Sequence, residues 1–347
     1  MTQERGVTEE TGMTEDRGMM APRRRSKILL AILVFGSFLS TGVAADLGPA
    51  PEGSFSIVVL PDTQTYAAVK PEIFHAETQW IVDNRQRQRI RFVSHVGDVV
   101  DRNVAEQWQV AREAMDRLHG VVPYGFAVGN HDMVAATGEC SLFERFFPAS
   151  RFEAFAWYGG SHKNNANSFQ LFSAEGLDFV IVHLECNAPD DALAWANRVL
   201  DEHSSRRVIV TTHMYLGPLH RPETARGWYD DPKGRMQWKK CHGPQGNTPE
   251  DMWQKCFSKH ENLFLICCGD QSRTQAMHRT VEGAGQRAVH EVLSDYHEGS
   301  LRLYRFVPDE DLIEVRTYRP HEGELSGGTK IVSDPDEHQF QLPYQMP

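Results

Sequence analysis

The chain has 347 residues, with 36 Lys and Arg against 47 Asp and Glu for a formal net charge of −11. That balance argues against a basic module that grips a nucleic-acid backbone, and 40% hydrophobic, 10% aromatic and 24% charged residues argue against a disordered, collagen-like or coiled-coil chain. The length fits one large domain or two small ones.

Residues 1–45 read as an N-terminal extension and export signal. Arg23-Arg24-Arg25-Ser26-Lys27 precedes an apolar run from Ile28 to Leu39, and Val43-Ala44-Ala45 follows it, the order of a charged region, an apolar region and a small-residue cleavage site. The run is about a dozen residues, short of the roughly 20 that span a bilayer. A cleaved signal is therefore expected, with an uncleaved N-terminal anchor as the alternative. The mature chain is then periplasmic or extracellular and has no stable membrane association.

Residues 46–54, rich in Pro and Gly, read as a linker. A strand is expected over 55–60, a helix over about 71–88, a strand over 92–96, a helix over about 104–119 and a strand over 124–128. Residues 168–174 and 177–184 form a hairpin turning at Glu175-Gly176. A helix over about 190–203 then leads to a strand at 208–212, and one over about 249–259 leads to a strand at 263–268. Strands at 289–294, 301–306 and 312–318 follow without helices between them. The alternation implies an α/β domain with helix-covered sheets, and the closing run of strands favours two sheets over one doubly wound sheet. Residues 214–250, with Trp228, Tyr229 and Trp238, form an irregular insertion that reads equally as a substrate-covering loop or a surface excursion. Residues 319–347 read as a C-terminal tail.

Six cysteines are free to pair in an oxidising compartment. Cys241 with Cys256 is the pair expected first, because both lie outside expected strands, whereas Cys267 and Cys268 read as small buried hydrophobes. No ligand spacing for a structural zinc ribbon occurs.

The chemistry lies at the strand ends. The first strand runs into Asp62-Thr63-Gln64, the second into Gly97-Asp98-Val99-Val100-Asp101, the third into Gly129-Asn130-His131-Asp132. Later strands run into Thr212-His213 and Gly269-Asp270-Gln271-Ser272. One Asp after a strand is usually a turn former or helix cap. Five successive strand ends bearing oxygen or imidazole ligands converge where α/β sheets bind ligands, at the carboxyl ends of the strands.

These motifs and their order resemble the calcineurin-like metallophosphoesterases, built on D-x-[HQ], G-D-x-x-D, G-N-H-[DE], a lone His after a strand and G-H-x-H. The resemblance covers 55–318, and the wording around Leu60-Pro61-Asp62-Thr63-Gln64 and Leu293-Ser294-Asp295-Tyr296 is similar to a bacterial and fungal subgroup in which Gln replaces the first His. It implies a four-layer α/β/β/α sandwich of two mixed sheets flanked by helices, carrying a site for two divalent cations that hydrolyses a small phosphate ester, mono- or diester. Asp62 and Gln64 would bind the first cation, Asp98 both, and Asn130 and His213 the second. His131 would protonate the leaving oxygen, with Asp101 fixing its ring. Arg102 reads as a surface ion pair rather than a phosphate contact.

The last motif departs from the family. Asp270 keeps ligand capacity at the first His position, while Ser272 replaces the second imidazole and Gln64 already replaces another. Oxygen ligands favour Mn²⁺ or Mg²⁺ over zinc or iron. The departure also motivates an alternative, a non-catalytic or weakly active envelope binding protein that retains the fold.

Overall fold

Alternation along the first strand sets the layering. β1 (Phe55–Leu60) sends Val58 and Leu60 into one hydrophobic cluster and Phe55, Ile57 and Val59 into another, as the period of two requires. The structure is a computed structural model and describes residues 47–217 and 241–346.

After β1 come helices α1 (Gln64–Val69) and α2 (Pro71–Asn84), strand β2 (Ile90–His95), α3 (Ala105–Asp116), β3 (Tyr124–Phe126) and α4 (Ser141–Phe146). Then follow β4 (Tyr158–His162), β5 (Asn167–Ala174), β6 (Leu177–His183), α5 (Asp190–Glu202), β7 (Arg207–Met214) and α6 (Pro249–Lys255). The remainder is strand: β8 (Leu263–Gly269), β9 (Ala276–Glu282), β10 (Ala288–Ser294), β11 (Leu301–Val307), β12 (Leu312–Arg319), β13 (Glu324–Leu325) and β14 (Gln339–Pro343).

One sheet has the order β13-β12-β11-β1-β2-β3 with β14 on β12, and the other has β4-β5-β6-β7-β8-β10-β9. Within them β1, β2 and β3 are mutually parallel, as are β6, β7, β8 and β10. The inner faces meet over Ile57, Phe92, Ile181, Ile209 and Leu265. Helices α1 to α4 cover the first sheet's outer face, and α5 and α6 cover the second's. The four-layer sandwich expected from the sequence is the fold observed. α5 has the right pattern for its place, burying Leu193, Trp195, Ala196, Val199 and Leu200 along one stripe. α6 starts at a capping box between Thr248 and Asp251.

Polar groups also bridge the sheets. Ser94 of β2 lies 2.8 Å from His183 Nε2 of β6 and 2.7 Å from Thr211 Oγ1 of β7. His183 Nδ1 donates to Gln170 Oε1 at 2.8 Å. Burial pulls this imidazole down to about 3, so it is a satisfied neutral core histidine.

Several expectations need correction. Leu47, in the expected linker, is buried, and Gln88 Nε2 donates to its carbonyl at 2.8 Å. Residues 319–346 are no loose tail, because β14 pairs with β12 over Leu312 to Arg316. Cys241 does not approach Cys256. It packs with Cys140 and Cys186 under the first sheet's helices, while Cys256 belongs to the other outer cluster, and all six cysteines are thiols. The export signal and most of the 214–250 insertion, including Trp228, Tyr229 and Trp238, lie outside the described residues. Among those described, no helix is long and apolar enough to cross a membrane.

Candidate metal centre

The parallel strands bring their carboxyl ends to one pole. Asp62 beyond β1, Asp98 beyond β2 and His213 near the end of β7 each offer a ligand atom within 4.8 Å of the others, and all three are buried. Backbone geometry makes this close approach feasible. A Cβ on Gly269 would overlap Asp62 Oδ1 and sit 2.8 Å from Val96 Cγ2, and one on Gly129 would overlap Asp98, so each Gly before a motif residue leaves space for a carboxylate. Asp98 and Asp270 themselves occupy left-handed backbone at φ 49 and 70, a region that Asp tolerates better than most residues.

His213 is oriented as a ligand. Its Nδ1–H donates to the Val96 carbonyl at 2.9 Å, which leaves Nε2 as the atom facing Asp98 Oδ1, 3.2 Å away, and Asp270 Oδ1, 3.6 Å away. Asp270 N donates to Asp62 Oδ2 at 3.1 Å, and Gln271 Nε2 donates to Asp270 Oδ2 at 2.6 Å. The altered last motif therefore keeps its first position in the site.

The charges are crowded. Burial, then the Asp295 carboxyl, pushes Asp62 well above the usual carboxylate range. Burial opposes ionisation of Asp98 too, but the His213 imidazole holds its pKa down. His213 is raised well above an ordinary histidine, since the Asp98 and Asp62 carboxylates outweigh its burial. Asp62 Oδ1 is buried without a hydrogen-bond partner, a state that costs free energy unless something else satisfies it. Carboxylate oxygens and one neutral imidazole nitrogen are the donors of a divalent-cation site, and a bound cation would reverse the local field. The residues fit such an ion.

His131 sits over this cluster. Its main-chain N–H donates to Asp98 Oδ1 at 2.8 Å, its Nε2 is 4.0 Å from Asp98 Oδ2, and its Nδ1–H donates to the Asp101 main-chain carbonyl at 2.6 Å. The Asp101 carboxylate, expected to fix the ring, is 4.0 Å away and 45% exposed. Asn130, buried, lies between Gly129 and His131 in the same loop. Arg102, with its side chain 77% exposed, is 4.0 Å from Asp101 as a surface pair. Gln64 opens α1 and is half-buried, and among the described residues its side chain makes no hydrogen bond, nor does that of Ser272.

Residues without an assigned role in the sequence also shape the site. Asp132 accepts the N–H groups of Gly129 at 2.8 Å, Val99 at 3.2 Å and Val100 at 3.1 Å, tying two motif loops together. Burial, with Asp98 nearby, moves its carboxyl up to about 7. His95 ties the first motif to the second through Thr63 Oγ1 at 3.0 Å and the Gly97 N–H at 3.1 Å. Asp295 and His297, beyond β10, also reach the site. The first touches Asp62 electrostatically and the second lies 3.4 Å from Asp295 Oδ1. The wording Leu293-Ser294-Asp295-Tyr296 marks this strand end in the sequence, but nothing there gives Asp295 or His297 a role.

The family model described as calcineurin-like phosphoesterase matches residues 55–245. The uncharacterized protein YvnB of Bacillus subtilis (strain 168) is 29% identical over 309 residues, which are 86% of this chain and 22% of that one. Among solved structures, the purple acid phosphatase PPD1 from yellow lupin (Lupinus luteus) superposes with a TM-score of 0.51 at 14% identity, covering 87% of this chain and 56% of its own. A 5'-nucleotidase precursor from Thermus thermophilus gives a TM-score of 0.42 at 12% identity, covering 79% and 53%. The chain spans about a fifth of the length of YvnB and about half of the lupin enzyme.

Proposed function

The chain belongs to the calcineurin-like phosphoesterase family, and on that premise we propose that it hydrolyses a small phosphate ester, mono- or diester, at a site for two divalent cations, Mn²⁺ or Mg²⁺. The observation that carries this reading is the buried Asp62, Asp98 and His213 cluster with His131 held above it, its main-chain N–H on Asp98 Oδ1 and its imidazole Nδ1–H on the Asp101 carbonyl. Asp62, Gln64 and Asp98 would hold the first cation, and Asp98, Asn130, His213 and Asp270 the second. Such cations supply charge neutralisation at the phosphate and an activated water.

The protein's own part is orientation and proton transfer. With Nδ1–H committed to the Asp101 carbonyl, His131 presents Nε2 as the atom that delivers a proton to the leaving oxygen. Asp98 holds the His131 main chain, so the group that places cations also places the acid. Asp132 keeps the two loops in register.

Mn²⁺-loaded protein is expected to hydrolyse p-nitrophenyl phosphate or its bis ester, and Asp98→Ala and His131→Ala each to lower turnover by about 100-fold or more. Metal-loaded wild type that is inert across a broad panel of phosphate esters refutes the reading. The second reading, a non-catalytic or weakly active binding protein that retains the fold, draws on Gly269-Asp270-Gln271-Ser272, where Asp270 and Ser272 stand at the family's two His positions. Asp270→His combined with Ser272→His separates the two: a large gain in activity indicates decay, and a loss indicates a working rewired site. Export is a further part of the proposal, checked by N-terminal sequencing of the protein recovered outside the cytoplasm, with cleavage expected after Ala45.

A further inference from the structure

β10 ends at the metal centre in Leu293-Ser294-Asp295-Tyr296, wording similar to the subgroup's but carrying no assigned role. It runs parallel to β8 with Leu293 opposite Cys268, so its continuation, Asp295-Tyr296-His297, emerges at the same pole as Gly269-Asp270. Asp295 is 1% exposed and neither of its oxygens has a hydrogen-bond partner. Its carboxyl lies within electrostatic reach of Asp270, His213 and Asp98 and adjoins Asp62. His297 brings Nε2 to 3.4 Å from Asp295 Oδ1. That nitrogen is buried and has no hydrogen-bond partner, while Nδ1 lies 3.1 Å from Thr65 Oγ1, one residue along α1 from Gln64.

The segment is built to hold position. The Tyr66 hydroxyl donates to the Tyr296 carbonyl and accepts the Gly299 N–H at 2.7 Å. The Tyr296 hydroxyl accepts from Arg302 Nη2 at 2.7 Å. Asp295 N donates to the Gln275 carbonyl at 2.9 Å. A rigid turn thus sets the Asp295 carboxyl beside Asp62 and the unpartnered His297 Nε2 beside Asp295. Two buried carboxyls side by side share only the His213 imidazole as counter-charge, and a cation supplies more.

We propose that Asp295 and His297 are ligands of the first cation, delivering from the end of β10 the imidazole that Ser272 and Gln64 do not supply. Thr65 then accepts the Nδ1–H and selects the ring tautomer that leaves Nε2 free, the usual task of a group behind a ligating histidine. A restored nitrogen ligand also narrows the metal preference to Mn²⁺ over Mg²⁺. The inference rests on the proposed two-cation centre but is tested apart from catalysis.

The test is metal content and thermal stability of wild type, Asp295→Asn, His297→Gln and Ser272→Ala. Protein stripped with EDTA is titrated with Mn²⁺, with bound ions counted by elemental analysis and affinities taken from calorimetry. Wild type and Ser272→Ala are expected to bind two ions per chain. Asp295→Asn and His297→Gln are each expected to keep one and to bind the other at least tenfold more weakly. Stripped Asp295→Asn is expected to melt no lower than stripped wild type, because it removes one of two facing carboxyls, yet to gain less from added Mn²⁺. Either variant keeping two ions at wild-type affinity overturns its half of the assignment. Wild type binding fewer than two ions, or stripped Asp295→Asn melting well below stripped wild type, overturns the whole. Wild type that binds two ions and hydrolyses nothing would refute the proposed activity and leave these ligands standing.

Discussion

Replacing Asp101 with Ala distinguishes two ways of orienting a general acid. By position in its motif, the Asp101 carboxylate is the group expected behind His131. In the structure the ring's Nδ1 is 2.6 Å from the Asp101 carbonyl oxygen and 4.0 Å from the carboxylate, which is 45% exposed. The substitution removes the carboxylate and keeps the carbonyl. A half-exposed pair at that separation is worth about 0–1 kcal/mol, so kcat/KM of the Mn²⁺-loaded protein should fall by no more than about fivefold. His131→Ala removes the proton donor itself and should cost about 10²–10⁴. The assay is kcat/KM against aryl phosphates whose leaving phenols rise in basicity. The deficit of His131→Ala should widen along the series, whereas that of Asp101→Ala should stay constant. An Asp101→Ala loss beyond about 100-fold, or one that widens with leaving-group basicity, refutes the assignment of ring orientation to the main chain.

Three further outcomes are expected. Gly269→Ala places a Cβ against Asp62 and Val96. It should lower stability by about 1–3 kcal/mol in urea unfolding and weaken Mn²⁺ binding, and a variant unchanged in both would show that the strand ends can move apart freely. Asp132→Ala leaves the buried N–H groups of Gly129, Val99 and Val100 without their acceptor, a loss of at least about 3 kcal/mol. A urea midpoint within error of wild type would contradict it. His183 is held neutral in the fold, at about 3 against 6.5 for a free imidazole. The unfolded chain therefore binds the extra proton, and stability declines as pH falls from 6.5 towards 3, by about 1.4 kcal/mol per unit from this group. Urea unfolding at pH 7 and pH 5 should show a shallower decline in His183→Gln, and equal slopes in the two proteins would count against the burial argument.

The parts of the molecule written in local pattern were legible beforehand. β1 occupies the expected 55–60, and the 175–176 turn takes the two positive φ values, 49 at Glu175 and 78 at Gly176, that join β5 to β6. The glycine-marked strand ends were legible for a related reason, since the close approaches at Gly129 and Gly269 tolerate no side chain. What escaped reading depends on neighbours distant in sequence. β14 is an edge strand whose partner is β12, and the alternation of Phe340 and Leu342 over five residues is too short to identify it. Cys241 finds its place through the Gly138 N–H, which donates to its carbonyl at 2.9 Å, and not through its spacing from Cys256. A motif can name Asp101 but cannot say which of its oxygens receives the imidazole. Asp295 lies in wording similar to the subgroup's, yet nothing in the sequence gives it or His297 a role, and the parallel pairing of β10 with β8 carries them to the cations' side.

Both sheets contribute to any ion held between them. Asp62 and Asp98 hang from β1 and β2 of one sheet, and His213 and Asp270 from β7 and β8 of the other. An occupied centre is therefore a rivet through both layers, and the sheets cannot part while it stays in place. Departure of the ion becomes the gate to unfolding, so in excess metal the lifetime of the fold is set by ligand exchange at one pole and no longer by the greasy seam between the layers alone.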